Sequence, residues 1–296
     1  MRPQTRFKSP EDFLRYVLRA IVPYLDSLVL VGGFAVRLYR FHPRAAPTGI
    51  VPLVTFDADF VAPPELEIKA GRRLSDLVAD ADLEPNFFGD RKPPVMKFFP
   101  KEGETPRQGT AQDQYYVEFL TPLIGGGTDR AGNVVGTREI QKGVTAQRLR
   151  YLDLLTVNPW QIPLARLPGM GAKLGDGNIV KVPDPGLFIV QKILISRETG
   201  RQEERPKDMA YIYEVLALFR GELRQLAEGV RRIPGKGSTW QRGIARSKRM
   251  AAELFKTPIA PGVTEAHAVF AAAAGGGEVP TPEMIHAGVQ AFLKQL

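Results

Sequence analysis

Asp57 and Asp59 stand two residues apart in the apolar run "VPLVTFDADFV" (51–61). Residues two apart on an extended strand point to the same side. The two carboxylates therefore project together, while Phe56, Ala58 and Phe60 face the other way. Two ionised carboxylates on one face repel each other and lose hydration. A divalent cation removes that cost. Mg²⁺ takes oxygen ligands in near-octahedral geometry, from one or two protein carboxylates together with substrate phosphates. A D-x-D pair by itself also describes a solvated strand end, so its neighbours decide between the readings.

Two neighbours favour the cation. In "LVLVGGFAVRLYR" (28–40), Gly32 and Gly33 follow an expected strand over 28–31 and open an expected helix over 33–41. A glycine turn of this kind leaves backbone N–H groups bare at a helix N-terminus, where an anionic phosphate can bind. Arg37, one helical turn later, is within reach of such a phosphate or serves the surface. In "YYVEFL" (115–120), Glu118 is the lone charge among apolar neighbours. If its strand lies beside 53–61, three carboxylates converge. Such a set can hold two metal ions ~3.5–4 Å apart, the arrangement used for in-line phosphoryl transfer. Otherwise Glu118 is an edge-strand acid facing water.

The elements that must position these residues follow from local patterning. "SPEDFLRYVLRAIVPYL" (9–25) reads as a helix with Ser9 as cap, Pro10 at the first position and Asp12 where a capping-box acid sits. Strands are expected over 53–61 and 114–123, with "PPVMKFFP" (93–100) as a short one, a helix over 65–82 and a Gly-rich turn over 125–133. After Pro185 the pattern becomes helical, over 185–199, 206–228, 239–256 and 281–294, with a linker over 271–282. The expected organisation is a mixed α/β domain over 1–180, a helical domain over 181–270, and a linker with a terminal helix over 271–296.

The composition sets limits. An apolar share of 44% across 296 residues suits a substantial core. No cysteine is present, which excludes disulfides, thiolate metal sites and a Cys nucleophile. His42, His267 and His286 lie far apart with no ligand spacing. The N-terminus lacks the apolar core of a signal peptide and no run approaches the ~20 residues of a membrane helix, so a cytoplasmic protein without a membrane partner is expected. Of the net charge of +8, seven charges fall in residues 229–256, through Arg231, Arg232, Lys236, Arg242, Arg246, Lys248, Arg249 and Lys256 against Glu253. A basic stretch of this density attracts nucleic acid or forms a solvated helix face.

The ordered set of Gly-Gly after a strand, D-x-D on the next and a third acid on a later one resembles the polymerase-β-type nucleotidyltransferase superfamily. "VEFLTPL" (117–123) and "VPDPGLFIVQKILISRETGRQEERPKDMAYIYEVL" (182–216) are similar to segments of AbiEii/MenT-like nucleotidyltransferases. The gap from Gly33 to Asp57 is longer than in the AbiEii toxins and resembles a bacterial branch described only as nucleotidyltransferase fold proteins. The resemblance covers about 28–220. It implies an α/β (α+β) core with a mixed sheet and a helical C-terminal region. It implies that Gly32 and Gly33 hold nucleotide phosphates, and that Asp57, Asp59 and Glu118 bind two Mg²⁺ ions, with Mn²⁺ as a substitute. Lys192 would contact the triphosphate and Asp208 would lie at the rim. The reaction implied moves a nucleoside monophosphate from an NTP to an acceptor hydroxyl on RNA, tRNA above all, or on protein. An antitoxin protein is the implied partner if the chain is a toxin. Two departures stand out: Tyr211 replaces a frequent Asp, and the third acid is Glu. Two other readings of the same residues are a non-catalytic nucleic-acid-binding protein on this fold and a D-x-D glycosyltransferase.

Overall fold

The computed structural model describes residues 7–89, 93–101, 114–125, 136–169, 177–198, 202–233 and 237–296. The expected Gly-rich turn, apart from Gly125, and Lys236 lie outside the described residues. The chain divides into two compact units, one of residues 1–35, 54–156 and 160–182, the other of 36–53, 157–159 and 183–296.

The first unit is built on a mixed sheet. Its elements begin with α1 (Pro10–Ala20), β1 (Val29–Val31) and the start of α2 (Gly32–Tyr39). β2 (Asp57–Val61), α3 (Leu74–Asp80), β3 (Leu83–Phe88), β4 (Val95–Pro100) and β5 (Tyr116–Pro122) follow. The unit closes with β6 (Thr137–Gln141), β7 (Val144–Leu149), α4 (Leu152–Leu155), β8 (Trp160–Pro163) and β9 (Ile179–Val182). The nine strands form one sheet in the order β3-β4-β5-β2-β1-β9-β8, with the β6–β7 hairpin joined through β7 to β5. β2 pairs antiparallel with β1 and parallel with β5, so the D-x-D strand is central. The Glu118 strand is interior too, with β2 on one side and β4 and β7 on the other, and Glu118 is no edge-strand acid.

Local chemistry explains several of these elements. Ser9 Oγ accepts the Asp12 N–H at 3.1 Å and Pro10 opens α1, as the capping pattern requires. Phe13 of α1 stacks on Tyr115 at 4.8 Å and meets Phe34 at 6.2 Å, which anchors the helix on an aromatic cluster. The helix expected over 65–82 is confined to α3. Ala70 and Gly71 carry φ of 51° and 71°, a left-handed turn that no helix can continue through, and the Lys69–Arg72 bridge closes it. The strand expected over 53–61 pairs only from Asp57 onward.

The second unit is helical: the end of α2, then α5 (Pro185–Ile195), α6 (Arg205–Leu218), α7 (Leu223–Arg231), α8 (Gly237–Leu254), α9 (Pro261–Ala273) and α10 (Pro282–Gln295). The single helix expected over 206–228 is two. α6 ends at Phe219, whose buried ring lies edge-on to Tyr39 at 5.6 Å, and the Glu222 N–H turns back to the Phe219 carbonyl before α7 begins. Helix α9 was not expected. Its Ala-rich sequence lacks a clear polar–apolar period, yet it packs extensively on α6. Every residue of α5 is buried, so Lys192 sits inside the unit.

Candidate functional site

The sheet of the first unit sorts the site residues by face. In β2, Ala58 and Phe60 are fully buried while Asp57 and Asp59 are half-buried, the alternation of a strand with one packed face. On the packed face Phe119 of β5 lies between Phe98 of β4 and Phe60 of β2, at 5.8 and 6.1 Å. On the other face the register places Asp59 beside Glu118, Asp57 beside Tyr116, and Glu118 beside Lys97 of β4. Register partners share a face, so Lys97, Glu118 and Asp59 form one row across three adjacent strands, with Asp57 two residues along β2.

Gly32 belongs to the same place. It follows β1 and opens α2 with φ +65°. A Cβ at Gly32 would stand 2.8 Å from Asp59 Oδ2, so the Asp59 carboxylate fills the space that any other side chain would need. That φ is also one L residues rarely adopt. Asp57 is oriented from the segment just before β2: Thr55 Oγ1, fully buried, donates to Asp57 Oδ1 at 2.6 Å.

The donor set bears on the metal expectation. Asp57 and Asp59 offer only carboxylate oxygens, half-exposed and on one face, which fits a hard divalent cation completed by water or phosphate oxygens. Among the described residues no three His, Asp or Glu side chains are grouped so as to hold a metal ion. Glu118, 5% exposed, instead has its Oε2 3.5 Å from Lys97 Nζ. That ammonium also lies 4.1 Å from the centre of the Tyr116 ring. Sequence reading passed over Lys97. Its signal was the one that marked Glu118: a single charge inside an apolar strand, "VMKFF".

The remaining candidates lie in the second unit. Lys192 of α5 donates from Nζ to Asp208 Oδ1 of α6 at 2.6 Å, and the two residues are only 8% and 3% exposed. The rings of Phe188 and Tyr211 lie 5.5 and 5.6 Å from the same ammonium. Asp184 caps α5, accepting from the N–H groups of Gly186 and Leu187 at 2.9 and 3.2 Å. Arg37 donates to the carbonyls of Leu53 and Pro52 at 2.8 and 3.4 Å, and so straps the Pro-rich loop that follows α2. Of the basic stretch, Arg231, Arg232, Arg242, Arg246, Lys248 and Arg249 are all exposed. Arg231 also donates to the Gln295 carbonyl. Arg242, Arg246 and Arg249 recur at helical spacing along α8.

With this geometry in view, the comparison with known families is direct: a family model described as Nucleotidyltransferase matches residues 16–233. The chain belongs to the nucleotidyltransferase family. The matched span holds Gly32, Gly33, Asp57, Asp59, Lys97 and Glu118 of this nucleotidyltransferase, together with Lys192 and Asp208, and ends before α8. A crystal structure of an antigenic nucleotidyltransferase-like protein from Paracoccidioides brasiliensis is similar at 14% identity and a TM-score of 0.34, covering 78% of this chain and 92% of that one. No curated protein matches the chain. Among the described residues no helix is long and apolar enough to cross a membrane.

Proposed function

We propose that this nucleotidyltransferase moves a nucleoside monophosphate from an NTP to an acceptor hydroxyl, with Mg²⁺, or Mn²⁺ in its stead, carried on Asp57 and Asp59. The observation that carries the reading is the pair of aspartates on one face of a central strand, with Gly32 cleared of any side chain beneath the Asp59 carboxylate. A bound divalent cation would supply charge for the attacking oxygen and the α-phosphate. In the reaction the acceptor oxygen bonds to the α-phosphorus and the bond from that phosphorus to the bridging oxygen breaks. Pyrophosphate leaves, and the hydroxyl proton passes to a carboxylate at the site or to water. Gly32 and Gly33 offer N–H groups of the α2 N-terminus to phosphate oxygens. The acceptor is RNA, with tRNA the favoured class, and the exposed cations of α7 and α8 support that choice. The order of motifs along the chain supports an AbiEii/MenT-like branch, and with it the reading of a bacterial toxin held by an antitoxin protein.

The test is label transfer. The protein is incubated with Mg²⁺, each α-labelled NTP in turn, and total bacterial RNA with lysate protein, beside an Asp57→Ala/Asp59→Ala double variant. Label on an RNA species with one NTP, from wild type only, is expected. Label on protein alone would replace RNA as acceptor, and equal labelling by the folded double variant would remove the aspartates from the chemistry.

A further inference from the structure

Lys97 changes the charge arithmetic of the site. Its ammonium is 3.5 Å from Glu118 Oε2 and 4.1 Å from the centre of the Tyr116 ring. Glu118 and Tyr116 are the β5 residues in register with Asp59 and Asp57. The ammonium therefore lies against β5, the strand next to the aspartates. A fixed monovalent cation thus engages the acid that would complete a three-carboxylate metal site.

We propose that Lys97 takes the place of the second metal ion: its ammonium holds Glu118 and limits the site to one divalent cation, carried by Asp57 and Asp59. This rests on the reading of Asp57 and Asp59 as metal ligands. Charge balance favours it. Asp57, Asp59 and Glu118 bring three negative charges, which one divalent ion and one ammonium neutralise. A second divalent ion would have to displace Lys97 from Glu118, whose side chain is 7% exposed, and leave an ammonium, 26% exposed, next to two dications. It also accounts for the absence of a three-acid metal group among the described residues. The third acid is present in register, and the lysine of the next strand has engaged it.

The experiment counts ions. Mn²⁺ is titrated into the full chain without nucleotide and its binding is followed by the loss of the free-ion electron paramagnetic resonance signal. One ion per chain is expected for wild type. Lys97→Met keeps the stem of the side chain and removes the ammonium from Glu118; two ions per chain are expected. Lys97→Met/Glu118→Gln removes both charges and should return the count to one. Two ions in wild type, or one in a Lys97→Met variant whose circular dichroism matches wild type, would overturn the proposal. An Asp57→Asn/Asp59→Asn variant separates the two levels: if it binds Mn²⁺ as wild type does, or if wild type binds none, the metal-site reading fails first.

Discussion

Gly32 joins backbone conformation to chemistry in one residue. Its φ of +65° is strained for any residue with a Cβ, and that Cβ would lie 2.8 Å from a carboxylate oxygen of Asp59. Gly32→Ala should cost about 1–2 kcal/mol from the left-handed backbone alone, measured by urea denaturation. Because Asp59 must move, Mn²⁺ affinity should fall by a larger factor than for alanine at Gly71, whose φ of +71° is similar but whose surroundings are open. Equal Mn²⁺ affinities in the two variants would show that Asp59 does not depend on Gly32. Lys192 and Asp208 make a different test. Removing one partner of a buried pair strands the other charge at a cost of about 3–5 kcal/mol. Asp208→Ala should therefore destabilise strongly, and Lys192→Met/Asp208→Leu should recover most of the loss. A small loss in Asp208→Ala would mean that the ammonium reaches water, the condition for it to reach a phosphate instead.

At the scale of elements, Arg40, the residue after α2, meets a buried charge of α6. Glu214 of α6 is 1% exposed and its Oε1 accepts from Arg40 Nη2 at 2.6 Å, while the same nitrogen donates to the Ile50 carbonyl at 3.0 Å. Burial raises the Glu214 carboxyl above its ordinary 4.5, against the opposing pull of Arg40 and, more weakly, Arg37. The sign follows from proton binding. Above pH 4.5 the unfolded chain releases this proton while the folded chain retains it, so stability falls as pH rises from there to the folded value. Glu214→Gln should flatten that part of the stability–pH curve, measured by thermal melts at stepped pH. A curve unchanged in slope would mean that Arg40 fully offsets the burial. The cap of α5 gives a simpler prediction: Asp184→Ala exposes two N–H groups of the first turn and should cost about 0.5–2 kcal/mol in the same melts.

For the whole molecule, the charge of +8 is concentrated where α7 and α8 run. If these helices cradle RNA, binding must weaken with salt, since each phosphate contact on a single strand contributes about 0.7 to the slope of log affinity against log salt. Reversing Arg242, Arg246 and Arg249 to Glu should lower that slope by about 2 when three contacts are lost. Fluorescence anisotropy between about 50 and 200 mM salt, the range over which such contacts are screened, would read it. An unchanged slope would assign these arginines to a solvated face.

Much of this protein was written in short-range pattern. The carboxylate pair, the glycine turn, the lone Glu118 and the capped first helix each follow from period-two alternation or local turn chemistry, which act within a few residues. The mixed α/β class and the helical C-terminal region follow from the same patterns summed along the chain. Strands β6 to β9 were less legible because they are only four to six residues long and each is interrupted by at least one polar side chain. The excursion of residues 36–53 into the helical unit has no sequence signal at all, because it is fixed by Arg37 and Arg40 binding loop carbonyls and Glu214. Tertiary structure alone decided which strand lies beside which. No spacing in the sequence says that β4 follows β5, so none could set Lys97 against Glu118. Pairing between strands depends on packing of the whole sheet, and that is where the third acid acquired a lysine for its partner.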